Sequence, residues 1–228
     1  MAPAKSILVL SGGLDSTVSS WIACQKTTPL LALTFDYGQR AAKQEIRSAR
    51  SLAGKLGVAH RLISLPWLQS LTHTALVDRA QDLPVLDPTD LDKFDAGLDS
   101  AQRVWVPNRN GVFLNVAASF AESLGAEWIV TGFNAEEGAT FPDNSVAFVQ
   151  AADAFFSYST LTHAKVVSYT LSMDKLAIVR KGQKLGIPFE DLWFCYEGGE
   201  RSCGRCESCL RAHRAFQQAG LTQLKGHL

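Results

Sequence analysis

SILVLSGGLDST, residues 6–17, runs from an apolar segment into two adjacent glycines and then an acid followed by hydroxyls. The apolar half has the length and β-branched content of a buried strand. The second half opens a helix, because Asp15 and Ser16 stand early in a run that extends to Lys26, with Pro29 beyond it. A strand ending in Ser11-Gly12-Gly13 turns tightly, since glycine adopts positive φ and lets a ligand approach the backbone. The helix then offers unpaired N–H groups and the positive end of its dipole, which together suit a phosphate. Leu10 to Val18 would wrap such an anion, with Ser11, Ser16 and Thr17 supplying hydroxyls. Asp15 has two readings here: it holds magnesium or orients a phosphate chain, or it is a helix cap. No Lys follows the last glycine and no G-x-G-x-x-G is present, so neither a Walker A loop nor a dinucleotide fingerprint is written here.

The pattern set by this stretch continues along the chain. Lys5–Leu10, Leu30–Phe35, Ala59–Ser64, Glu127–Thr131 and Lys165–Tyr169 read as strands. Between and after them, Asp15–Lys26, Ala41–Leu56, Gly111–Ser123, Ala147–Tyr158 and Asp174–Leu185 read as helices. Strand–helix alternation of this kind predicts an α/β fold, a doubly wound, Rossmann-like parallel sheet covered on both faces. Pro66 to Pro107 breaks the pattern with Pro84, Pro88, Asp82, Asp87, Asp90 and Asp92, and reads as a long loop with short helices, a form that often serves as a lid. The expected division is an α/β unit over residues 1–190 and a C-terminal segment over 191–228.

Composition narrows the classes. Hydrophobic residues make up 46% of the 228 and charged ones 19%, enough for a sizeable core. Net charge is zero, with 22 basic and 22 acidic residues, so no bulk footprint for a large nucleic acid exists. No apolar run reaches the roughly 18–20 residues of a membrane span. MAPAKSILVL lacks a long apolar core before a cleavage site, so a cytoplasmic protein is expected.

A second informative stretch lies near the end, in WFCYEGGERSCGRCESCLRAHR. Cys195, Cys203, Cys206 and Cys209 follow the spacing C-x7-C-x2-C-x2-C, and four thiolates fit a tetrahedral structural zinc. An iron–sulfur cluster is the rival, and disulfides are the poorer reading in a reducing compartment. Cys24 reads as a buried small hydrophobe. His213, four residues after Cys209, reads as a surface histidine rather than a ligand, and the sequence names no partner for His60, His73, His163 or His227.

Ser11-Gly12-Gly13-Leu14-Asp15-Ser16 resembles the SGGxDS signature of the pyrophosphate-loop ATPases, which adenylate a substrate and bind the departing pyrophosphate. Over nearly its whole length the chain resembles, more narrowly, the 7-cyano-7-deazaguanine synthase (QueC) family. Asp36-Tyr37-Gly38-Gln39-Arg40 matches its DYGQR, Val106-Pro107-Asn108-Arg109-Asn110 with Phe113 is similar to its VPGRNxxF, and Thr131-Gly132-Phe133-Asn134 and Phe141-Pro142-Asp143 look like its G-x-N and YPD elements. The closing cysteines match its zinc site.

The resemblance implies conversion of 7-carboxy-7-deazaguanine, ammonia and ATP into the nitrile, with Mg²⁺ and a structural Zn²⁺ and with a homodimer as the assembly. Ser11, Asp15, Ser16, Arg109 and Lys175 are then the expected catalytic residues. Leu10, Ser11, Gly12, Gly13, Leu14, Asp15, Ser16, Thr17 and Val18 are expected around ATP. Tyr37, Gln39, Arg40, Arg109, Asn110, Phe113 and Asp143 are expected around the substrate, with Asp143 on its guanine-like edge. Each has a plainer alternative: a loop cation for Arg109, a turn residue for Asp143, a solvated lysine for Lys175, and loop-to-helix pairing for Tyr37, Gln39 and Arg40.

The chain departs from the family pattern at Ala41, at Asn108, where positive φ is expected, and over Glu136-Glu137-Gly138-Ala139-Thr140 and Asn144-Ser145. These departures keep open an enzyme that adenylates another carboxylate or a tRNA base. Arg201, Arg205, Arg211 and Arg214 would be the RNA-binding patch in that case, and a solvated surface explains them as well.

Overall fold

Short apolar runs alternating with helices build a five-stranded parallel sheet in the computed structural model, which describes residues 3–91 and 93–221; Asp92 and His227 lie outside them. The strands are β1 (Lys5–Val9), β2 (Thr28–Asp36), β3 (His60–Ser64), β4 (Trp128–Thr131) and β5 (Lys165–Ser168), in the order β3-β2-β1-β4-β5. In register, Ile7 of β1 lies beside Leu31 of β2 and Ile129 of β4. The register slips by one residue between Ser6 and Ile7, next to Pro29. Pro29 therefore lies inside β2 rather than in the connection before it.

Helices cover both faces, as the alternation requires. α1 (Leu14–Lys26) joins β1 to β2, and α2 (Ala42–Leu56) joins β2 to β3. The long connection to β4 carries α3 (Pro66–Ser70), α4 (Phe94–Val104) and α5 (Arg109–Leu124). α6 (Ala135–Gly138) and α7 (Val146–Ser159) lead to β5, and α8 (Lys175–Leu185) and α9 (Glu207–Gln218) follow it. On one face Ile7, Leu33, Ile129 and Val166 pack with Leu114, Ala117 and Ala121 of α5 and Phe156 of α7. On the other, Leu8, Leu10, Ala32 and Val130 pack with Val18 and Ile22 of α1, Leu52 of α2, Ile178 of α8 and Phe216 of α9. Burying each of these larger side chains contributes roughly 1.5–3 kcal/mol before the cost of ordering it.

The stretch from Pro66 to Pro107 holds more structure than a loop with short helices. α4 runs for eleven residues and buries Gly97, Ser100, Ala101 and Val104, a face of small side chains that shows weak hydrophobic periodicity. Leu76, Val77, Leu83 and Val104 join the core beneath it, so much of the segment is packed down. Cys24 is half-buried rather than buried, and His213 is half-buried, edge-on to Phe194.

Strand order reverses between β1 and β4, because the chain leaves β1 toward β2 on one side and returns to β4 on the other. In open parallel sheets such a switch point leaves a crevice at the carboxyl ends of the two strands. Ser11 follows β1 there and Gly132 follows β4.

Candidate active site and cysteine centre

The crevice is a cavity with the glycine turn at one end. Gly12 has φ of +83°, and a Cβ on it would lie 2.6 Å from Ser48 Oγ and 2.8 Å from Ala49 N of α2, so only glycine fits. Trp193 N–H donates to Gly12 O at 2.9 Å, fixing the back of the turn. On the cavity side, Ser11 Oγ and Ser16 Oγ stand 2.9 Å apart, with the N–H groups of Ser11 and Gly13 each 3.3 Å from one of these hydroxyls. Donors thus converge where the α1 dipole begins. Leu10, Ser11, Gly13, Leu14, Asp15 and Ser16 line the cavity. Gly12, Thr17 and Val18 do not: Thr17 Oγ1 donates to Gly13 O at 2.7 Å, and Val18 belongs to the core.

Gly132 lets the end of β4 approach α1, since a Cβ there would collide with the backbone of Asp15 and Ser16. Beside this contact Lys175 Nζ donates to Asp15 Oδ2 at 2.6 Å and to Glu137 Oε1 at 2.7 Å. The lysine side chain is only 11% exposed, which removes the solvated reading. Burial alone would lower its pKa; the two carboxylates hold it above the usual lysine range. Burial pushes Asp15 up to about 6 against the opposing pull of Lys175. Asp15 Oδ1 is buried and has no hydrogen-bond partner among the described residues, which suits a carboxylate that accepts a further ligand such as a divalent cation.

Glu137 gave no signal in the sequence beyond its departure from the family pattern. It is held by α6, where Asn134 Oδ1 accepts from Glu137 N at 3.0 Å. Its neighbour Glu136 accepts from Lys175 N at 2.8 Å and meets Arg211 at 3.4 Å and Arg214 at 3.7 Å. Arg211 is therefore engaged inward, and the four arginines of the C-terminal segment do not act as one free patch.

Arg109 occupies the far side of the cavity, at the start of α5. Asn108 before it has φ of +52°, as the replacement of glycine led us to expect. Arg109 Nη1 lies 3.3 Å from Tyr37 Oη, and its guanidinium sits 5.7 Å from the Tyr37 ring centre. Burial works against the cation; Tyr37 and Asp143 outweigh it and hold the guanidinium charged. Phe113 stacks on Phe35 with ring centres 4.1 Å apart, and Phe133, Phe141, Phe194 and Tyr196 extend the aromatic wall. Tyr37, Arg109, Asn110 and Phe113 line the cavity as expected, and Glu45 of α2 lines it unforeseen.

Gln39, Arg40 and Asp143 are placed outside that wall. Gln39 accepts from Tyr37 N at 3.0 Å and donates to Phe35 O at 3.1 Å and Glu45 Oε2 at 2.7 Å, bracing the loop against α2. Arg40 donates to Asp78 O at 2.8 Å and to Gln81 O and meets Glu197 at 3.5 Å. Asp143 Oδ1 accepts from Asn144 Nδ2 at 3.1 Å.

The four cysteines meet. Their sulfurs all lie within 4.8 Å of one another, with Cys203 Sγ and Cys209 Sγ 3.9 Å apart. A tetrahedral zinc with thiolates at about 2.3 Å needs sulfurs about 3.8 Å apart. Backbone N–H groups of Glu197 and Cys203 point at Cys195 Sγ, at 3.4 and 3.2 Å, which favours the thiolate. Hydrogen bonds from Cys206 and Cys209 are the main pull that lowers the Cys195 thiol, and the two N–H groups add to it. The donors fit one ion. A four-iron cluster fits less well, because its bulk spreads the cysteine sulfurs beyond what a single ion needs.

Comparison with known proteins agrees with this architecture. The model of the family described as Queuosine biosynthesis protein QueC matches residues 5–220. A 7-cyano-7-deazaguanine synthase of Pelotomaculum thermopropionicum is 52% identical over 95% of this chain and 98% of its own length. One of Methanosarcina mazei is 47% identical over 95% of both. Among solved structures, the U34-tRNA thiolase NcsA from Methanococcus maripaludis with its [4Fe-4S] cluster superposes with a TM-score of 0.50 at 11% identity, over 99% of this chain and 75% of that one; that likeness concerns the fold alone. By family model and by close relatives of matching length, the chain belongs to the QueC family, that of the 7-cyano-7-deazaguanine synthases.

Proposed function

We propose that the protein joins ammonia to 7-carboxy-7-deazaguanine at the expense of ATP and delivers the nitrile, 7-cyano-7-deazaguanine. The observation that carries this reading is a single cavity lined both by the Ser11–Ser16 turn and by Arg109 with its aromatic neighbours. A carboxylate is a poor electrophile, so its oxygen first attacks the α-phosphorus of ATP, forming an acyl adenylate and releasing pyrophosphate. Ammonia adds to the activated carbonyl, a proton is lost and AMP departs, leaving the amide. A second ATP adenylates the amide oxygen, and loss of AMP with two protons closes the C≡N bond.

The residues divide this work by position. The donors of Ser11, Gly13 and Ser16 at the head of α1 take the phosphates, and Lys175 adds a fixed positive charge as pyrophosphate leaves. Arg109 takes the substrate carboxylate, its charge kept by Tyr37 and Asp143. Asp15 Oδ1 would hold Mg²⁺, which when bound neutralises the phosphate oxygens. Cys195, Cys203, Cys206 and Cys209 would hold one Zn²⁺ as a structural ion, with no position left for chemistry. In this reading residues 1–190 supply the phosphate-binding groups and 191–228 the metal ligands together with Phe194 and Tyr196 of the cavity wall, in a cytoplasmic enzyme acting on a small molecule rather than directly on nucleic acid.

A homodimer fits α7, whose outer face presents Ala147, Ala151, Ala154, Phe155 and Tyr158, the last two 53% and 94% exposed. Light scattering should give the mass of two chains, and the mass of one would remove the dimer. The reaction itself is tested by mass spectrometry after incubation with ATP, ammonium and 7-carboxy-7-deazaguanine. The nitrile should appear with AMP and pyrophosphate. Turnover of ATP only with some other carboxylate would overturn the substrate.

A further inference from the structure

A deazaguanine bound in this cavity carries two parallel donors on one edge, the ring N1–H and the exocyclic amine. Leaving them unpaired costs more than the bonds themselves return, so the wall must offer matching acceptors. Asp143, which the sequence suggested for this edge, is outside the wall and takes a bond from Asn144. Three carboxylates do line the cavity: Asp15, Glu137 and Glu45. Asp15 and Glu137 are both engaged by Lys175 at the phosphate end.

Glu45 differs in position and in what it lacks. It lines the same cavity as Phe35, Tyr37, Arg109 and Phe113, and the carboxylates that Lys175 binds are Asp15 and Glu137. Among the described residues no cation lies within ion-pair distance of its carboxylate, and its hydrogen bond comes from Gln39 Nε2 to Oε2. Gln39 is itself locked to Phe35 O and Tyr37 N, so the carboxylate is held in place by backbone through one rigid amide. Arg109 lines the cavity together with Glu45 and Glu137.

Resting on the function proposed above, we infer that Glu45 is the specificity-determining residue for the guanine edge, its carboxylate accepting N1–H and the exocyclic amine together. The flat ring then lies along the aromatic wall formed by Phe35 and Phe113. Its 7-carboxylate, on the opposite edge of the ring system, is directed toward Arg109 and the phosphate end. One substrate spans the two halves of the site, and Gln39 acts through Glu45 as a positioning residue rather than as a contact. The departures from the family pattern at Glu136–Ser145 leave this recognition untouched, because Glu45 comes from α2.

The test compares 7-carboxy-7-deazaguanine with the analogue that lacks the 2-amino group, in the wild-type protein and in Glu45→Gln. The wild type should prefer the amino compound by at least roughly 100-fold in kcat/KM, because a site built to pair a donor rejects the analogue without it. Glu45→Gln places an amide donor against the substrate donors, and the preference should fall to about tenfold or less, mainly through KM. Should the variant turn over neither compound, calorimetric binding of both to the folded variant decides. Similar affinities support the inference, and a retained preference overturns it. A wild-type protein that fails to convert 7-carboxy-7-deazaguanine would count against the proposed function. Normal wild-type turnover with undiminished discrimination in Glu45→Gln would count against Glu45 alone.

Discussion

Asp15 concentrates the electrostatics of the site in one carboxyl group. Its environment sets burial against Lys175 at 2.6 Å, and the outcome is a pKa raised to about 6. If the ionised form is what holds Lys175 and a divalent cation, activity should fall as pH drops through about 6, since protonation removes the charge. An Asp15→Asn variant should be slower at every pH and should lose that acid limb; a limb that persists in the variant would assign it to another group. Ser11, Asp15 and Ser16 were legible because a glycine pair between strand and helix has few other uses. Glu45 and Glu137 were not. A glutamate on an amphipathic helix looks like surface until the fold closes a cavity over it, and Glu137 shows its role only through Lys175, 38 residues away.

The elements meet at Arg211 on α9. Its Nε donates to Glu207 Oε1 at 2.8 Å, Nη2 to Leu91 O at 2.8 Å, and Nη1 lies 3.4 Å from Glu136 Oε2. Glu207 also accepts from Ser100 of α4, so the cysteine segment, α4 and α6 share one buried hub. Arg211→Gln leaves Glu207 without its cation and should cost about 3 kcal/mol in chemical denaturation, a figure for breaking a largely buried pair. Because Glu136 also binds Lys175 N, kcat should fall with it; an unchanged denaturation midpoint and kcat would show the hub to be dispensable. Strands and their crossover helices were readable from apolar runs alternating along the chain, and the structure ends three of the helices at Gly57, Gly125 and Gly186, each with positive φ. α4 was not, because its buried face is Gly97, Ser100, Ala101 and Val104 and carries little hydrophobic signal.

At the scale of the molecule, two centres depend on each other. The cysteine cluster packs with Ala41 and Trp193, and Trp193 N–H fixes the back of the glycine turn. Elemental analysis should find one zinc per chain, and stripping it with a chelator should lower the melting temperature together with ATP affinity. Retained stability after complete removal would separate the two centres. The parallel sheet and the grouping of the four cysteines were foreseeable, since alternation and thiol spacing are local patterns; the strand order and which loop residues reach the cavity were not, because those are settled by elements and side chains meeting across the switch point. The central claim is that this cavity adenylates first a carboxylate and then the amide made from it. The measurement that tests it most directly uses substrate with both carboxylate oxygens replaced by ¹⁸O and follows the label by mass spectrometry. Adenylation predicts two AMP per nitrile, each carrying one ¹⁸O, whereas label in inorganic phosphate would show transfer of a terminal phosphoryl group and contradict the account.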